Sequence, residues 1–265
     1  MKYLVVFYSG AGNTECIARK IAHSLEEEGH EVSTTRLTGQ NVEDLDDDFD
    51  ALVLGFPIYF RAAPGLVFHC LRTLDGRNRP IIVFSTKGMY SCNATRAILS
   101  LAEERCFIPK GFHEFYMPGS DILLIFAKKG SFFERSFKFI HSRKIDRKIE
   151  RLLNGVQGDS TIPLPRRKWY TLIDEGIIKR IEIKATDHYR IFIGRFHSMP
   201  EQCTQCLKCV RQCPRGNIEM TDSGIVFGQE CDTCFRCIHQ CPSEAIQIGD
   251  KTLDTVRYRP VTCNF

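Results

Sequence analysis

The chain has 265 residues, 43% of them hydrophobic and 26% charged, with a formal net charge of +4, the composition of a soluble globular protein long enough for two domains. No apolar run approaches the roughly 18 residues that mark a membrane span. The charge is uneven: net −4 over 1–127, +9 over 128–197, where 17 Lys/Arg face 8 Asp/Glu, and −1 over 198–265.

The opening, MKYLVVFYSG, carries one Lys and a short apolar run that enters a glycine loop instead of a small-residue cleavage site. That predicts a first β-strand, no signal peptide and a cytoplasmic protein. KYLVVFYS (2–9) is a nearly continuous apolar run, as in a parallel strand buried on both faces. From Thr14 to Glu28, Ile17, Ile21 and Leu25 recur at helical spacing before Gly29 closes the helix. EVSTTRL, ALVLGFPIY, PIIVFST and HEFYMP follow as strands, with helical stretches near 65–74 and 92–105. The acidic run EDLDDDFD (43–50) reads as a solvated loop or short helix. Five strands alternating with helices predict an α/β, doubly wound parallel sheet.

Residues 131–156 read as one amphipathic helix, with Phe133, Phe137, Ile140, Ile145, Ile149, Leu152 and Val156 as its apolar stripe and Arg143, Lys144, Arg147 and Lys148 elsewhere on its surface. Beyond it the periodicity dissolves. The expected architecture is therefore an α/β domain over 1–156, a basic connector over 157–197, a small cysteine-rich domain over 198–250 and a tail over 251–265. Arg166, Arg167 and Lys168, beside Trp169 and Tyr170, are the densest charges of the connector; they are expected either to bridge the two domains or to dock an acidic partner.

Between the first strand and its helix lie Ser9, Gly10, Ala11, Gly12, Asn13 and Thr14. Glycines allow a tight turn that points N–H groups at one phosphate, the helix N-terminus adds partial positive charge, and Ser9, Asn13 and Thr14 add neutral donors. The loop has neither the Lys of a P-loop nor the third glycine of a dinucleotide fingerprint, so it reads as a cradle for a phosphate monoester or as an ordinary strand-to-helix turn. In open α/β sheets ligands bind beyond the carboxyl ends of the strands, and the flavodoxin-like order 2-1-3-4-5 places FMN between the loops after strands one and three. After strand three, Pro57 stiffens the loop, Ile58 follows, and Tyr59 and Phe60 offer rings to an isoalloxazine. After strand four, Ser85, Thr86, Gly88 and Tyr90 supply hydroxyls, backbone donors and another ring.

In a reducing compartment, 13 cysteines point to metal before disulfides. CTQCLKCVRQCP begins at Cys203 and CDTCFRCIHQCP at Cys231. C-x2-C-x2-C-x3-C-P is the bacterial two-cluster spacing, in which three thiolates of one run bind one four-iron cube and the fourth completes the other. Cys203, Cys206, Cys209 and Cys241 would hold one [4Fe-4S] cluster, and Cys231, Cys234, Cys237 and Cys213 the second. Structural zinc is the alternative, but it pairs C-x2-C knuckles and has no use for the third cysteine. Cys16, Cys70, Cys92, Cys106 and Cys263 read as buried small hydrophobes. Two anionic clusters would offset the formal positive charge, which argues against nucleic acid as a partner.

Ser9-Gly10, Gly12-Asn13-Thr14, Pro57-Ile58-Tyr59, both cysteine runs and the ending Asn264-Phe265 together resemble the flavodoxin/ferredoxin fusion proteins of anaerobic bacteria and archaea. Ala11 departs from that pattern, standing where relatives carry Thr. The resemblance covers the whole chain and implies a flavodoxin-like domain followed by a small α+β two-[4Fe-4S] ferredoxin-like domain, with FMN, two clusters and electron transfer. The expected role is an electron carrier working with a redox protein partner, such as a ferredoxin or an oxidoreductase. The alternatives are an FMN-dependent reductase of a small molecule such as a quinone, and a flavin-less adaptor. No dedicated catalytic acid, base or nucleophile and no nicotinamide site is legible, which favours the carrier.

Overall fold

The structure, a computed structural model, describes residues 1–59, 62–88, 91–138, 144–155, 161–167 and 192–258. Strands β1 (Lys2–Phe7), β2 (Glu31–Arg36), β3 (Ala51–Pro57), β4 (Pro80–Lys87) and β5 (Ile108–Tyr116) form a parallel sheet of order β2-β1-β3-β4-β5. This is the flavodoxin-like arrangement. Central β1 and β3 are apolar on both faces because helices cover both. Tyr3, Val5 and Phe7 pack with Ile17, Ile21 and Leu25 of α1 (Asn13–Glu27) and with Ile145, Ile149 and Leu152 of α6 (Ile145–Leu153). Leu4, Val6 and Tyr8 face the opposite side, with Leu66, Val67 and Leu71 of α2 (Gly65–Thr73) and Ile98 and Leu99 of α3 (Ala94–Glu104). Each such aliphatic side chain contributes about 1.5–3 kcal/mol. Edge strand β2 is polar and largely exposed, as an edge with one neighbour permits.

Two elements differ from expectation. The stretch 131–156 is not one helix: α5 (Phe132–Lys138) precedes α6, and Lys144 at the α6 N-cap adopts a left-handed conformation (φ 58°) that no continuous helix allows. The stripe survives in α6, where Ile145, Ile149 and Leu152 are buried, whereas the side chains of Phe133 and Phe137 and residues Ile140, Arg143 and Val156 lie outside what is described. Strand β5 begins at Ile108, five residues before HEFYMP. Pro109 fits there because β5 is the sheet's other edge, where a missing N–H is tolerated.

A short helix α4 (Ser120–Phe126) leads from the α/β half toward the C-terminal half, and its Leu124 packs with Phe192, Phe196, Phe235, Ile238, Ile246 and Ile248. The C-terminal half has two antiparallel strand pairs: β6 (Phe196–Ser198) with β9 (Ile246–Ile248), and β7 (Ile218–Thr221) with β8 (Gly224–Phe227). Between them lie α7 (Lys208–Gln212) and α8 (Arg236–Gln240). The segment from Thr252 to Tyr258 returns to the α/β half: Val256 N–H donates to Ala127 O at 3.0 Å, and Val256 and Tyr258 pack on Ala11 and Ala127. Among the described residues no helix is long and apolar enough to cross a membrane.

Of the connector, 161–167 lies along the α/β half. Ile162 N–H donates to Pro109 O, Arg96 Nη1 donates to Pro165 O, and Leu164 packs on the α2/α3 core. Arg166 and Arg167 are exposed there; Lys168, Trp169 and Tyr170 lie outside the described residues.

Candidate functional site

The turn after β1 presents backbone N–H groups. Gly12, the N-cap of α1, sits at φ 112°, a left-handed conformation that glycine adopts without strain. Glu15 N–H donates to Ser9 Oγ at 3.3 Å and Cys16 N–H to Gly12 O at 2.9 Å. Among the described residues the N–H groups of Ala11, Gly12, Asn13 and Thr14 meet no acceptor, as the first turn of a helix leaves them. Four such donors at the N-terminus of a 15-residue helix match a phosphate. The side chains expected to help are structural as well. Thr14 Oγ1 and Thr86 Oγ1 share a 2.8 Å hydrogen bond that ties the loops after β1 and β4. Asn13 Nδ2 donates to Pro118 O at 3.0 Å while its Oδ1 accepts from Tyr258 Oη at 2.7 Å. Tyr258 is held in turn by its N–H donating to His239 Nδ1 at 3.2 Å.

Beside this turn is a cavity of about 70 Å³ that opens to the surface. Ser9, Gly10, Ala11, Asn13, Thr14, Pro57, Ile58, Tyr59, Thr86 and Gly88 line it, so the structure brings together the loops after β1, β3 and β4. Gly12 is not on its wall, and neither is Ser85, whose buried hydroxyl meets Thr95 Oγ1 at 3.2 Å on the α3 side. Phe60 and Tyr90 lie outside the described residues. Sequence reasoning missed Lys87, the loop Met117 to Asp121 after β5, and Thr233 and Phe235 of the C-terminal half. The β5 loop could have been found from the rule that sites collect at strand carboxyl ends.

Tyr59 lines the cavity with its hydroxyl against the Gly10 backbone and its ring edge-to-face with Tyr8 at 6.2 Å. Burial, with the neighbouring Cys234, holds its phenol well above the ordinary range. Lys87 is nearly buried. Burial opposes its charge, but the Glu114 Oε2 hydrogen bond at 2.7 Å and the Tyr116 ring at 4.5 Å prevail, and its pKa is raised.

The two cysteine runs fold alike. In each, two non-glycine residues between ligand positions are left-handed: Gln205 (φ 52°) and Leu207 (φ 56°) in the first, Thr233 (φ 49°) and Phe235 (φ 55°) in the second. Such backbone costs about 1–2 kcal/mol per residue, and its recurrence at equivalent positions shows that the turn itself demands it. Cys203, Cys206, Cys209 and Cys241 line one small cavity of about 20 Å³, walled entirely by the C-terminal half. Cys213 instead lies by the second run, within electrostatic reach of Cys231, Cys234 and Cys237. The fourth cysteine of each run thus sits with the other run. Burial pushes Cys231 up to about 11 and Cys234 up to about 12, while a backbone hydrogen bond from Lys208 lowers exposed Cys206. Thr233 N–H to Cys231 Sγ and Asn217 N–H to Cys213 Sγ, both 3.3 Å, offer donors to sulfur. Among the described residues no three His, Cys, Asp or Glu converge on one ion; a four-iron cube instead takes each thiolate on a separate iron. Of the remaining cysteines, Cys70 and Cys92 are buried as expected, but Cys106 is exposed, where the turn before β5 carries it at φ 61°. Cys16 is buried and disulfide-bonded rather than a free thiol; Cys263 lies outside the described residues.

The second run is seated on the phosphate-type turn. Arg236 Nη1 donates to Gly10 O at 2.8 Å and reaches Ser9 O at 3.4 Å. Tyr8 Oη donates to Asp232 Oδ2 at 3.0 Å, and Gly39 N–H to Pro214 O at 2.8 Å. Any Cβ on Gly10 would come within 2.6 Å of Cys234 O, so glycine permits this approach.

Residues 196–243 match the family model of a 4Fe-4S dicluster domain, so the C-terminal part is an iron–sulfur domain of the two-[4Fe-4S] kind. Among solved structures the chain is similar to flavodoxin 1 from Bacillus cereus (14% identity over 60% of this chain and 100% of that one, TM-score 0.43) and to a flavodoxin from the domain Archaea (15%, 59% and 94%, TM-score 0.39). It is also similar to flavodoxin 2 from Bacillus cereus (27%, 40% and 73%, TM-score 0.33). No curated protein matches it.

Proposed function

We propose that this chain is an electron-transfer iron–sulfur flavoprotein that passes single electrons between an external redox protein, two [4Fe-4S] clusters and FMN. What supports the reading most is the shared wall of this cavity: the turn Ser9 to Thr14, with its unpartnered N–H groups, faces Thr233 and Phe235, which alternate with the thiols of the second cysteine run. The N–H groups of Ala11 to Thr14 would hold the FMN phosphate, with Ser9 and Gly10 shaping the turn. Pro57, Ile58, Tyr59, Thr86, Gly88 and the Met117–Asp121 loop would enclose the rest. When bound there, FMN would store two electrons and exchange them singly with the clusters. Cys203, Cys206, Cys209 and Cys241 would hold one cluster, and Cys213, Cys231, Cys234 and Cys237 the other. We divide the chain accordingly into 1–156, 157–197, 198–250 and 251–265, and place it in the cytoplasm. Thr233 and Phe235 occupy wall that a reductase would need for its substrate, which favours the carrier.

Anaerobic purification followed by iron counting and flavin extraction tests the assignment. About eight irons, from two four-iron clusters, and one FMN per chain are expected. Full iron with no flavin, even after incubation with FMN, leaves only the adaptor reading.

A further inference from the structure

Arg236 stands between the two candidate cofactor sites. It follows Cys234 by two residues in the second cysteine run, is 5% exposed, and donates to the carbonyls of Gly10 and Ser9 on the other half of the chain. Among the described residues it meets no carboxylate, and its Nε has no hydrogen-bond partner. Its titratable neighbours are the Cys234 thiol and the phenols of Tyr8 and Tyr59, all neutral in this setting, and a second guanidinium, Arg36, which Glu15 neutralises. A buried cation without a counter-charge is strongly disfavoured. This one stands between two candidate anion sites: the cluster position at Cys234, two residues away in its own run, and the turn whose Ser9 and Gly10 carbonyls it grips.

Resting on the function proposed above, we propose that Arg236 is the charge bridge between the two sites, a positioning residue that fixes the cluster of Cys213, Cys231, Cys234 and Cys237 against the flavin turn and makes it the cluster that exchanges electrons with FMN. The cluster of Cys203, Cys206, Cys209 and Cys241 is then the outer one. Its cavity has no residue from the α/β half, and Cys206 is exposed, which suits exchange with an external redox protein. The guanidinium also supplies the positive charge that the Ser9–Thr14 turn lacks in its own sequence. Arg166 and Arg167, by contrast, are exposed along the α/β half.

The test compares wild type, Arg236→Gln, Arg236→Lys and Tyr8→Phe as reconstituted full chains with iron counted first. Potentiometric titration followed by electron paramagnetic resonance reads each cluster, and fluorescence titration with FMN reads affinity. In Arg236→Gln one cluster shifts to more negative potential while the other stays, and FMN affinity falls on the order of tenfold, as expected for loss of a charged hydrogen bond. Arg236→Lys restores the potential through its charge but recovers only part of the affinity, because it cannot reproduce the fork on two carbonyls. Tyr8→Phe, which loosens the same interface without removing charge, leaves both potentials near wild type. Unchanged potentials and affinity in a fully loaded Arg236→Gln overturn the proposal, as does a shift in Tyr8→Phe equal to that of Arg236→Gln. If Arg236→Gln does not fold, an Arg236→Lys protein with wild-type FMN affinity overturns it equally. Absence of FMN from wild type would instead overturn the functional reading, while the cluster potentials still decide the role of Arg236.

Discussion

Replacing Gly10 with alanine probes the seam between the two halves with a single methyl group. A Cβ at that position lies 2.2 Å from Tyr59 Oη, 2.6 Å from Cys234 O and 3.0 Å from Cys234 Cβ. The Tyr59 hydroxyl ends a side chain that can swing aside, but Cys234 O is backbone of a cysteine turn already held in left-handed conformations at Thr233 and Phe235. The turn therefore moves away, the Arg236 hydrogen bond to Gly10 O at 2.8 Å lengthens, and the cavity wall formed by Thr233 and Phe235 opens. Overpacking of this kind costs about 2–3 kcal/mol, which for a domain of this size lowers Tm by about 5–10 °C. Thermal melts of Gly10→Ala against Gly65→Ala supply the contrast. Gly65 begins α2 with nothing within 4 Å of an added Cβ, so its variant should be neutral or slightly stabilised. Equal melting of Gly10→Ala and wild type, with FMN affinity unaltered, would refute the close approach of the two halves.

Further outcomes follow from the same contacts. Lys87→Met strands Glu114 without its ammonium partner and should cost about 3 kcal/mol or more. Because the Lys87 pKa is raised above 10.5 in the folded chain, the stability gap between wild type and this variant, read from urea melts, should hold below pH 10.5 and close as pH rises through the folded value. Thr14→Val removes the hydroxyl pair with Thr86 and should lower stability by about 1–3 kcal/mol while weakening FMN binding, measured by fluorescence titration. Cys209→Ala should strip only the cluster that also uses Cys241, and Cys213→Ala only its neighbour, as resolved by paramagnetic resonance; loss of the same cluster in both variants would overturn the crossed assignment.

Much of the fold was legible because it rests on local pattern. The apolar runs of β1 and β3 announce strands buried on both faces, and the 28-residue offset of the cysteine runs returns as matched left-handed positions, Gln205 with Thr233 and Leu207 with Phe235. The break before α6 was not legible, since apolar residues recur from Phe133 to Val156 and the left-handed backbone at Lys144 leaves no mark on that pattern. Of the site, the three loops of the α/β half were readable from their place at strand ends. Ser85 was misplaced because alternate residues of β4 face opposite sides, which turns its hydroxyl to Thr95 and α3 while Thr86 lines the cavity. Thr233, Phe235 and Arg236 were invisible as site residues because they meet the turn at Gly10 from more than 220 positions away. No periodicity encodes a contact of that range.

In the proposed function, clusters and flavin form one electron path within a single chain. Flash reduction of the clusters in anaerobically purified protein, with flavin absorbance followed over a range of protein concentrations, tests it most directly. An internal path gives flavin reduction with a first-order rate that does not change with concentration; flavin that stays oxidised, or is reduced at a rate proportional to concentration, would refute such a path.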